Sequence, residues 1–282
     1  MPELPEVQTV MQGLTVAIDN CVLSEILVNR RDLRRLIPDD FENRLNGRAI
    51  EGLSRRGKYI IMHIEQEHPV ILHLGMSGRV RIYASQDQYD PIKHDHVIFT
   101  TDKGSRIVFH DPRRFGMLYI SDQKNWQDDI PFSEMGPEPL EDWRAEDLFQ
   151  KLNHKKVPIK NALLDQAVVA GLGNIYVCEA LFDAKINPAR RSSSLSLKEC
   201  AAVIDAVRPV LERAIQAGGS TLRDYRHVDG SLGYFQHSFA VYDREGQLCS
   251  NPECEDKIKR IIQAGRSSFY CPSCQNADNI KA

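Results

Sequence analysis

The 282-residue chain lacks the features that would place it in a membrane. It contains no apolar run long enough to span a bilayer, and its first residues do not form a signal-peptide pattern. We therefore expect a cytoplasmic protein without a membrane partner. Internal repeats and low-complexity tracts are also missing. The length is sufficient for two domains, each with its own hydrophobic core.

The chain also lacks the net positive charge expected of a nucleic-acid-binding protein, because its formal charge is −3. The distribution of charge changes this conclusion. Residues 121–147 hold nine acidic and two basic side chains, a local charge of −7, which leaves +4 for the rest of the chain. Basic clusters are spaced along that remainder: Arg30-Arg31, Arg34-Arg35, Arg55-Arg56 with Lys58, Arg113-Arg114, Lys155-Lys156 with Lys160, and Lys257 to Arg260. A single cluster of this kind is usually a solvated surface.

The first residues, Met1-Pro2-Glu3-Leu4-Pro5-Glu6, are the most informative segment. A small residue after the initiator methionine permits its removal, and we expect Pro2 to carry the free amine of the mature chain. An α-amino group titrates near pH ~8, so a fair fraction is neutral at working pH. A secondary amine that attacks a sugar carbon at the aldehyde oxidation level forms an iminium, as lysines do in Schiff-base enzymes.

Glu3 adjoins this amine as a candidate proton donor or acceptor. Apolar residues follow with helical spacing at Val7, Val10, Met11 and Leu14, and Pro5 suits a first helical turn. The positive end of the helix dipole would favour an uncharged amine and a nearby phosphate. The alternative is a stiff, proline-rich start that only begins a helix.

Short segments rich in Ile and Val predict an N-terminal β-sandwich or barrel, with strands at residues 22–28, 58–64, 69–74, 79–83, 94–101, 105–110 and 115–120. Helical periodicity follows at about 144–153, 159–168, 174–184 and 196–217, where Gly218-Gly219 ends the last helix. The predicted fold class is α+β. The predicted organisation is a β-sandwich domain with its N-terminal helix at 1–130, a linker at 131–143, a helical domain at 144–237 and a metal-binding tail at 238–282. The tail begins with a strand pair from Ser238, and 226–235 form a mobile loop.

Four of the seven cysteines form two pairs, Cys249-x4-Cys254 and Cys271-x2-Cys274, separated by sixteen residues. This is zinc-ribbon spacing, and four thiolates close a tetrahedral structural site that has no open position for catalysis. A zinc ribbon projects a β-hairpin, and Arg266 lies within the sixteen-residue span, where it could reach a phosphate or remain solvated. Cys21, Cys178 and Cys200 lie in apolar surroundings and are expected to be buried thiols.

The glycines of Gly171-Leu172-Gly173-Asn174 precede an amphipathic helix. A dinucleotide-binding loop is excluded, because Tyr176 occupies the third glycine position and no strand precedes the segment. A tight turn between two helices fits better, with backbone N–H groups and Asn174 facing a phosphate. A turn without a ligand is the alternative.

With these motifs in hand, the chain resembles the bacterial formamidopyrimidine-DNA glycosylase family nearly from end to end. The motifs that carry the resemblance are Pro2-Glu3-Leu4-Pro5-Glu6-Val7, Arg55-Arg56-Gly57-Lys58-Tyr59, His73-Leu74-Gly75-Met76-Ser77-Gly78, Lys93-His94-Asp95-His96, Asp111-Pro112-Arg113-Arg114-Phe115-Gly116, Gly136-Pro137-Glu138-Pro139-Leu140, Gly173-Asn174-Ile175-Tyr176 and the zinc segment ending Phe269-Tyr270-Cys271. The first cysteine pair departs from the pattern, since it encloses four residues where many relatives have two. This should lengthen the knuckle without changing the ligands.

The resemblance implies a monomeric base-excision repair enzyme with a β-sandwich, a helix-two-turn-helix domain and a C-terminal zinc finger that holds one structural Zn²⁺. It implies a bifunctional glycosylase and abasic-site lyase that acts on 8-oxoguanine and formamidopyrimidines in double-stranded DNA by β,δ-elimination. Pro2 would attack C1′ with Glu3 as acid/base partner, Lys58 would assist β-elimination and Arg266 δ-elimination. The implied phosphate contacts are His94, Arg114, Lys156, Asn174 and Arg266. Met76, Arg113 and Phe115 would fill the gap left by the flipped base, which the 226–235 loop would cover. The metal ligands would be Cys249, Cys254, Cys271 and Cys274.

Two other functions fit part of the sequence. The endonuclease VIII-like branch prefers oxidised pyrimidines, but Leu4 and the Met76, Arg113 and Phe115 set favour the formamidopyrimidine branch. A zinc-ribbon DNA-binding protein without catalysis would explain the cysteines and the basic clusters. It would leave Pro2, Glu3 and Lys58 unexplained.

Overall fold

A computed structural model describes residues 1–141, 143–220 and 233–276. The fold separates into two compact units. The first comprises Met1–Glu134 with Ala217–Tyr234, and the second comprises Met135–Gln216 with Phe235–Ala282. The segment after the last long helix therefore returns to the N-terminal unit, although it lies far along the chain.

The first unit is a sandwich of two antiparallel four-stranded sheets. Its strands are β1 (Leu23–Val28), β2 (Ile50–Arg56), β3 (Tyr59–Ile64), β4 (Val70–His73), β5 (Arg79–Tyr83), β6 (Asp95–Thr101), β7 (Arg106–His110) and β8 (Met117–Ile120). One sheet has the order β1-β6-β7-β5 and the other β2-β3-β4-β8. The predicted β-sandwich is thus confirmed, and each of the seven predicted strands is present within two residues of its predicted ends.

A helix, α1 (Leu4–Ile18), lies against the sandwich. Its residues Val7, Val10, Leu14 and Ile18 share one face at helical spacing and join the inward-facing residues of both sheets in a single core. A short helix, α2 (Phe41–Leu45), adds two buried side chains to the same core. Because the start of α1 is anchored by this core, its first turn has a fixed position relative to β2 and β3, against which the helix packs.

The second unit is helical and ends in a β-hairpin. It contains α3 (Ala145–Leu152), α4 (Ile159–Leu163), α5 (Asn174–Asp183) and α6 (Leu197–Gln216), followed by β9 (Lys259–Gln263) and β10 (Arg266–Tyr270). Both α3 and α5 pack on α6, and α5 also packs on β10. The four predicted helices are confirmed, although α4 ends at Leu163, five residues earlier than predicted.

One predicted element is wrong. No strand pair starts at Ser238; residues Phe235–Ser238 form a 3₁₀ helix, and the hairpin β9–β10 lies between the two cysteine pairs. Ala264 and Gly265 connect β9 to β10, and their φ values of +46° and +74° suit a two-residue turn between twisted strands. Before β9, pairing among the described residues of the tail is limited to an isolated bridge between Leu248 and Lys257. No helix in the described part of the chain is long and apolar enough to cross a membrane.

Candidate active site

Pro2 and Glu3 immediately precede α1, and both residues are buried. Glu3 precedes the helix, and its amide donates a hydrogen bond of 2.8 Å to Oε2 of Glu6, which satisfies one of the free N–H groups at the helix start. Removal of Met1 would therefore leave the secondary amine of Pro2 beside a buried carboxyl group at the positive end of a helix. This is an arrangement in which an amine can be held uncharged and a proton can be exchanged.

Lys58 lies in the tight turn between β2 and β3 and is only 7 % exposed. Gly57 makes the turn possible with a φ of +55°. Arg55 holds the turn to the N-terminal helix, since its guanidinium donates to Oε1 of Gln8 on α1 (2.8 Å) and to the carbonyl of Gly57 (3.0 Å). The helix that carries Pro2 and the turn that carries Lys58 are thus joined directly.

His73 is a buried histidine on β4 that lies opposite Tyr59, the residue that follows Lys58. The sequence motif that contains His73 predicted no role for it. Its ring packs on Tyr59 at 4.6 Å between centroids, and its Nδ1 accepts the amide of Gly75 at 3.1 Å, which places the ring hydrogen on Nε2. Burial, with the nearby charges of Lys58 and Arg34, lowers the pKa of His73 to about 4. His73 is therefore neutral at pH 7 and does not add a second positive charge beside Lys58.

Met76, Arg113 and Phe115 come together on two loops. The Arg113 guanidinium lies over the Phe115 ring, 4.8 Å from its centroid, and one of its N–H groups is 3.6 Å from the Met76 sulfur. Met76 and Phe115 are 39 % and 42 % exposed. The three predicted residues form one exposed wedge with a cationic group on it.

A fully buried carboxylate holds the two loops of this wedge together. Asp111 accepts the hydroxyl of Ser77 at 2.5 Å with one oxygen and the amide of Gly116 at 2.8 Å with the other. Ser77 follows Met76, and Gly116 follows Phe115. The resemblance assigned no role to Asp111, and its function as a link could not be read from a sequence in which Ser77 lies 34 residues away.

His94 and Arg114 occupy adjoining loops, and both have a left-handed backbone, with φ values of +77° and +57°. Non-glycine residues adopt this region infrequently, often at functional sites. The amide of Asp111 donates to the His94 carbonyl at 3.1 Å, which connects the His94 loop to the segment that carries Arg114. The Arg114 guanidinium forms an exposed ion pair of 2.7 Å with Asp32.

Glu6 connects the N-terminal helix with the segment that returns from α6. Its Oε1 accepts the amide of Ser220 at 2.8 Å and the hydroxyl of the same residue at 3.1 Å. Ser220 and Tyr234 pair as an antiparallel bridge. The predicted loop at 226–235 lies outside the described residues except for its last three positions.

In the second unit, Asn174 and Arg266 are brought close together, and Lys156 is exposed between α3 and α4. Arg266 is the first residue of β10, at the tip of the hairpin. The Asn174 amide, at the start of α5, donates at 2.9 Å to the carbonyl of Ser267, the next residue along the strand. The start of α5 is therefore in direct contact with the strand that begins at the exposed Arg266.

Cys249, Cys254, Cys271 and Cys274 form a compact cluster whose sulfur atoms all lie within 4.8 Å of one another. The Sγ–Sγ distances are 3.8 Å for Cys249 and Cys274 and 3.6 Å for Cys254 and Cys271. A tetrahedral zinc ion with Zn–S bonds of about 2.3 Å requires sulfurs about 3.8 Å apart. The four residues thus fit one structural zinc ion, as predicted.

The longer first knuckle keeps its ligands in place. Asn251, one of the four intervening residues, donates its backbone N–H to the Cys249 sulfur at 3.5 Å and its side-chain amide to the Cys274 sulfur at 3.4 Å. Hydrogen bonds of this kind orient metal ligands. The insertion therefore supplies donors to the sulfurs and leaves all four cysteines in the cluster.

Comparison with known families matches most of the chain. Residues 1–118 match the formamidopyrimidine-DNA glycosylase N-terminal domain, residues 135–226 the formamidopyrimidine-DNA glycosylase H2TH domain, and residues 252–277 a zinc finger found in FPG and IleRS. The formamidopyrimidine-DNA glycosylase of Roseobacter denitrificans is 47 % identical over 282 residues, covering 98 % of this chain and all of that protein. The Rhodospirillum rubrum enzyme of the same name is 47 % identical over 276 residues, covering 96 % of this chain and 98 % of that protein.

Solved structures show the same fold. The crystal structure of the MutM (FPG) protein of Thermus thermophilus has a TM-score of 0.84 at 36 % identity, over 97 % of this chain and 98 % of that one. The Lactococcus lactis Fpg in complex with DNA containing an abasic site has a TM-score of 0.86 at 34 % identity, over 97 % of this chain and 99 % of that one.

Proposed function

Because the chain belongs to the formamidopyrimidine-DNA glycosylase family of repair enzymes, we propose that it removes oxidised purines from duplex DNA and then cleaves the strand through a covalent intermediate on Pro2. A related Lactococcus lactis protein has been crystallised with DNA containing Fapy-dG, and another complex contains an abasic site. These ligands are a substrate and a product of the proposed glycosylase step.

The placement of Pro2, Glu3 and Lys58 is the observation that carries the proposal. In the first step the neutral amine of Pro2 forms a bond to C1′ of the damaged nucleotide, and the bond from C1′ to the base breaks. The base leaves with the bonding electrons and takes up a proton, while the opened sugar becomes an iminium linked to Pro2. Glu3 is the acid/base group within reach of the helix start.

Elimination from that iminium cleaves the strand. Loss of a proton from C2′ expels the 3′ phosphate, and a second elimination expels the 5′ phosphate; water then releases the sugar fragment and restores the amine. We assign assistance of the first elimination to Lys58, whose positive charge is buried in the β2–β3 turn. Arg266, exposed at the hairpin tip, would stabilise the phosphate that leaves in the second.

The remaining predicted residues would bind the DNA. His94, Arg114, Lys156 and Asn174 are proposed phosphate contacts, and the exposed wedge of Met76, Arg113 and Phe115 would enter the helix where the damaged base has left. Flipping a base costs a few kcal/mol. Apolar side chains that take its place in the stack offset part of this cost, and Arg113 can donate to the base left without a partner.

Borohydride trapping tests the covalent step. Reduction of the iminium should give a stable protein–DNA adduct with duplex containing 8-oxoguanine or an abasic site, and peptide mapping should locate the adduct at residue 2. The matched control is the same chain with a short N-terminal extension, in which Pro2 carries no free amine; a C-terminal extension of equal length should leave trapping intact. An adduct on Lys58, or activity in the N-terminally extended protein, would contradict the mechanism.

Lys58→Ala separates the two chemical stages. This variant should still form the trapped adduct on abasic DNA, since the nucleophile is unchanged, but should cleave the strand more slowly.

Excision rates of the wild-type protein on 8-oxoguanine paired with cytosine and on an oxidised pyrimidine would assign the substrate class. Faster excision of the pyrimidine would place the chain functionally with the endonuclease VIII-like branch.

A further inference from the structure

Asp95 is a buried carboxylate that the proposed chemistry does not use. Its side chain is 1 % exposed and accepts four hydrogen bonds. One oxygen receives Arg81 Nη2 at 2.5 Å and His110 Nδ1 at 2.8 Å, and the other receives the Tyr89 hydroxyl at 3.0 Å and the Ile92 amide at 3.1 Å. A side chain that collects donors from three separate segments fixes their relative positions.

The hydrogen bonds determine the protonation of this cluster. Burial opposes ionisation of Asp95, but the donors from Ile92, His110 and Tyr89 and the charge of Arg81 outweigh it, and the pKa of Asp95 lies below its ordinary value. An ionised carboxylate only accepts hydrogen bonds, so Nδ1 of His110 carries the hydrogen. Burial lowers the pKa of His110 although Asp95 opposes this effect, and His110 is a neutral ring at pH 7.

The same cluster encloses His94. The carboxylate of Asp95 binds the Ile92 amide, and the Asp95 amide donates back to the Ile92 carbonyl at 3.2 Å, which closes a turn around His94. His94 has a φ of +77° within this turn. Its ring packs edge to face on the His110 ring at 6.1 Å between centroids, and on His96 at 6.0 Å. Asp95 therefore holds both the backbone of His94 and the ring on which the His94 side chain rests.

We propose that Asp95 is a positioning residue for DNA binding, which holds His94 in the conformation that contacts a phosphate. The inference rests on the proposed phosphate contact of His94. Asp95 itself is buried, and its negative charge would repel a phosphate, so it can favour DNA binding only through the residue it positions. The left-handed backbone of His94 is rarely populated unless surrounding contacts stabilise it. Without the hydrogen bonds of Asp95, DNA binding would also have to order this turn, and the free-energy cost would weaken the affinity.

A double-mutant cycle tests the proposal. Affinity is measured by fluorescence anisotropy on a duplex with an uncleavable abasic-site analogue, for the wild type, Asp95→Asn, His94→Ala and the double variant. We expect each single variant to lose about tenfold in affinity, the size of a 1.4 kcal/mol coupling, and the double variant to bind no more weakly than His94→Ala alone. Borohydride trapping on abasic DNA is also measured under single-turnover conditions with saturating enzyme, where weaker DNA binding no longer limits the reaction. Under these conditions Asp95→Asn should form the adduct at the wild-type rate.

A control lies at the other end of the same strand. Asp102 follows β6 as Asp95 begins it, and its carboxylate accepts the Val22 amide at 3.0 Å. Asp102→Asn makes the same chemical change at an exposed position at the opposite end of β6 from His94, and this variant should bind DNA like the wild type. If Asp95→Asn melts below the assay temperature, Tyr89→Phe replaces it, since it deletes one of the four hydrogen bonds and keeps the carboxylate with its basic partners. Tyr89→Phe should lose less DNA affinity than Asp95→Asn, and this loss should again disappear when His94 is already alanine.

The outcomes separate the two levels of the argument. If His94→Ala binds DNA normally, the phosphate contact is wrong and the role of Asp95 is wrong with it. If His94→Ala loses affinity and Asp95→Asn or Tyr89→Phe loses the same further factor in both backgrounds, the contact stands and the positioning role is overturned.

Discussion

Replacement of Gly75 by alanine should weaken both the fold and base excision, for reasons that can be separated. Gly75 lies between β4 and β5 with a φ of +64°. A Cβ at this position would lie 2.4 Å from the backbone carbon and oxygen of Phe115 and 2.5 Å from the Gly116 amide nitrogen. These are backbone atoms, so no side-chain rotation can relieve the overlap.

Two contributions set the expected magnitude. A left-handed backbone costs alanine about 1–2 kcal/mol relative to glycine, of which about 0.4–1 kcal/mol is recovered because the unfolded chain has less freedom. Restoring ordinary contact at 3.4 Å requires the Phe115 segment to move by about 1 Å. Forced displacements of this kind cost about 1–3 kcal/mol. The free energy of unfolding should therefore fall by about 2–4 kcal/mol in Gly75→Ala.

Gly47→Ala isolates the first contribution. Gly47 has a φ of +80°, and a Cβ there would meet nothing within 4 Å. It lies in the same unit and should lose about 1 kcal/mol or less. Urea unfolding of the two variants measures the difference, which we assign to the overlap with Phe115.

The displaced segment carries Arg113 and Phe115, so function should change as well. A misplacement of about 1 Å at a reacting centre can cost on the order of 10²-fold in rate. Single-turnover excision of 8-oxoguanine should therefore slow more in Gly75→Ala than cleavage of a preformed abasic site, while Gly47→Ala changes neither. If Gly75→Ala and Gly47→Ala have equal free energies of unfolding and equal excision rates, the close approach of Gly75 to Phe115 contributes to neither, and the predicted effect of the overlap is refuted.

Four further variants follow from the same structure. Cys271→Ser should release the zinc ion and weaken DNA binding while the circular dichroism of the sheets persists, since the sandwich has its own core; a zinc-free wild type in metal analysis would contradict this. Arg266→Ala should lower the salt slope of DNA binding by about one unit, and an unchanged slope would show that Arg266 does not meet a phosphate. Arg113→Ala should slow excision of 8-oxoguanine opposite cytosine more than cleavage of a preformed abasic site. It should also reduce the preference for cytosine over adenine as the base opposite 8-oxoguanine. Equal rate losses on the cytosine, adenine and abasic-site duplexes would refute a contact between Arg113 and the opposite base. The hydrogen bonds from Arg44 lower the pKa of Glu67 from 4.5 to about 2. Between these pH values the unfolded chain binds a proton that the folded chain does not, so the free energy of unfolding falls as the pH drops. In urea titrations Glu67→Gln should lose less stability over this pH range than the wild type, and an equal loss in both proteins would exclude the Arg44–Glu67 pair as a source of acid sensitivity.

The sandwich could be predicted because most of its strands carry apolar or β-branched residues that alternate or run together. The strand β2 was missed. It contains Glu51, Gly52, Ser54, Arg55 and Arg56, and only Ile50 is buried. Its pairing with β3 also shifts register between Ile50 and Gly52. Such a strand is specified by its neighbours rather than by its own pattern.

The candidate site divides along similar lines. The cysteine cluster and the hairpin position of Arg266 followed from local spacing, and the structure confirms both placements. The contact among Met76, Arg113 and Phe115 was expected only from the family resemblance. The hydrogen-bond partners of Asp111 and Asp95 could not be predicted, because the fold brings them together from distant parts of the sequence. A single carboxylate in a motif does not show which donors it will meet.

The bond between Glu6 and Ser220 has a consequence for dissecting the protein. The N-terminal unit includes residues 217–234, and Ser220 occupies one oxygen of the carboxylate whose other oxygen holds the amide of Glu3. A fragment that stops at residue 134 would therefore expose Glu6 and lose part of the scaffold around Pro2 and Glu3. For the same reason, a chimera that takes its first 134 residues from one homologue should take 217–234 from the same parent, because these two stretches of sequence belong to one compact unit.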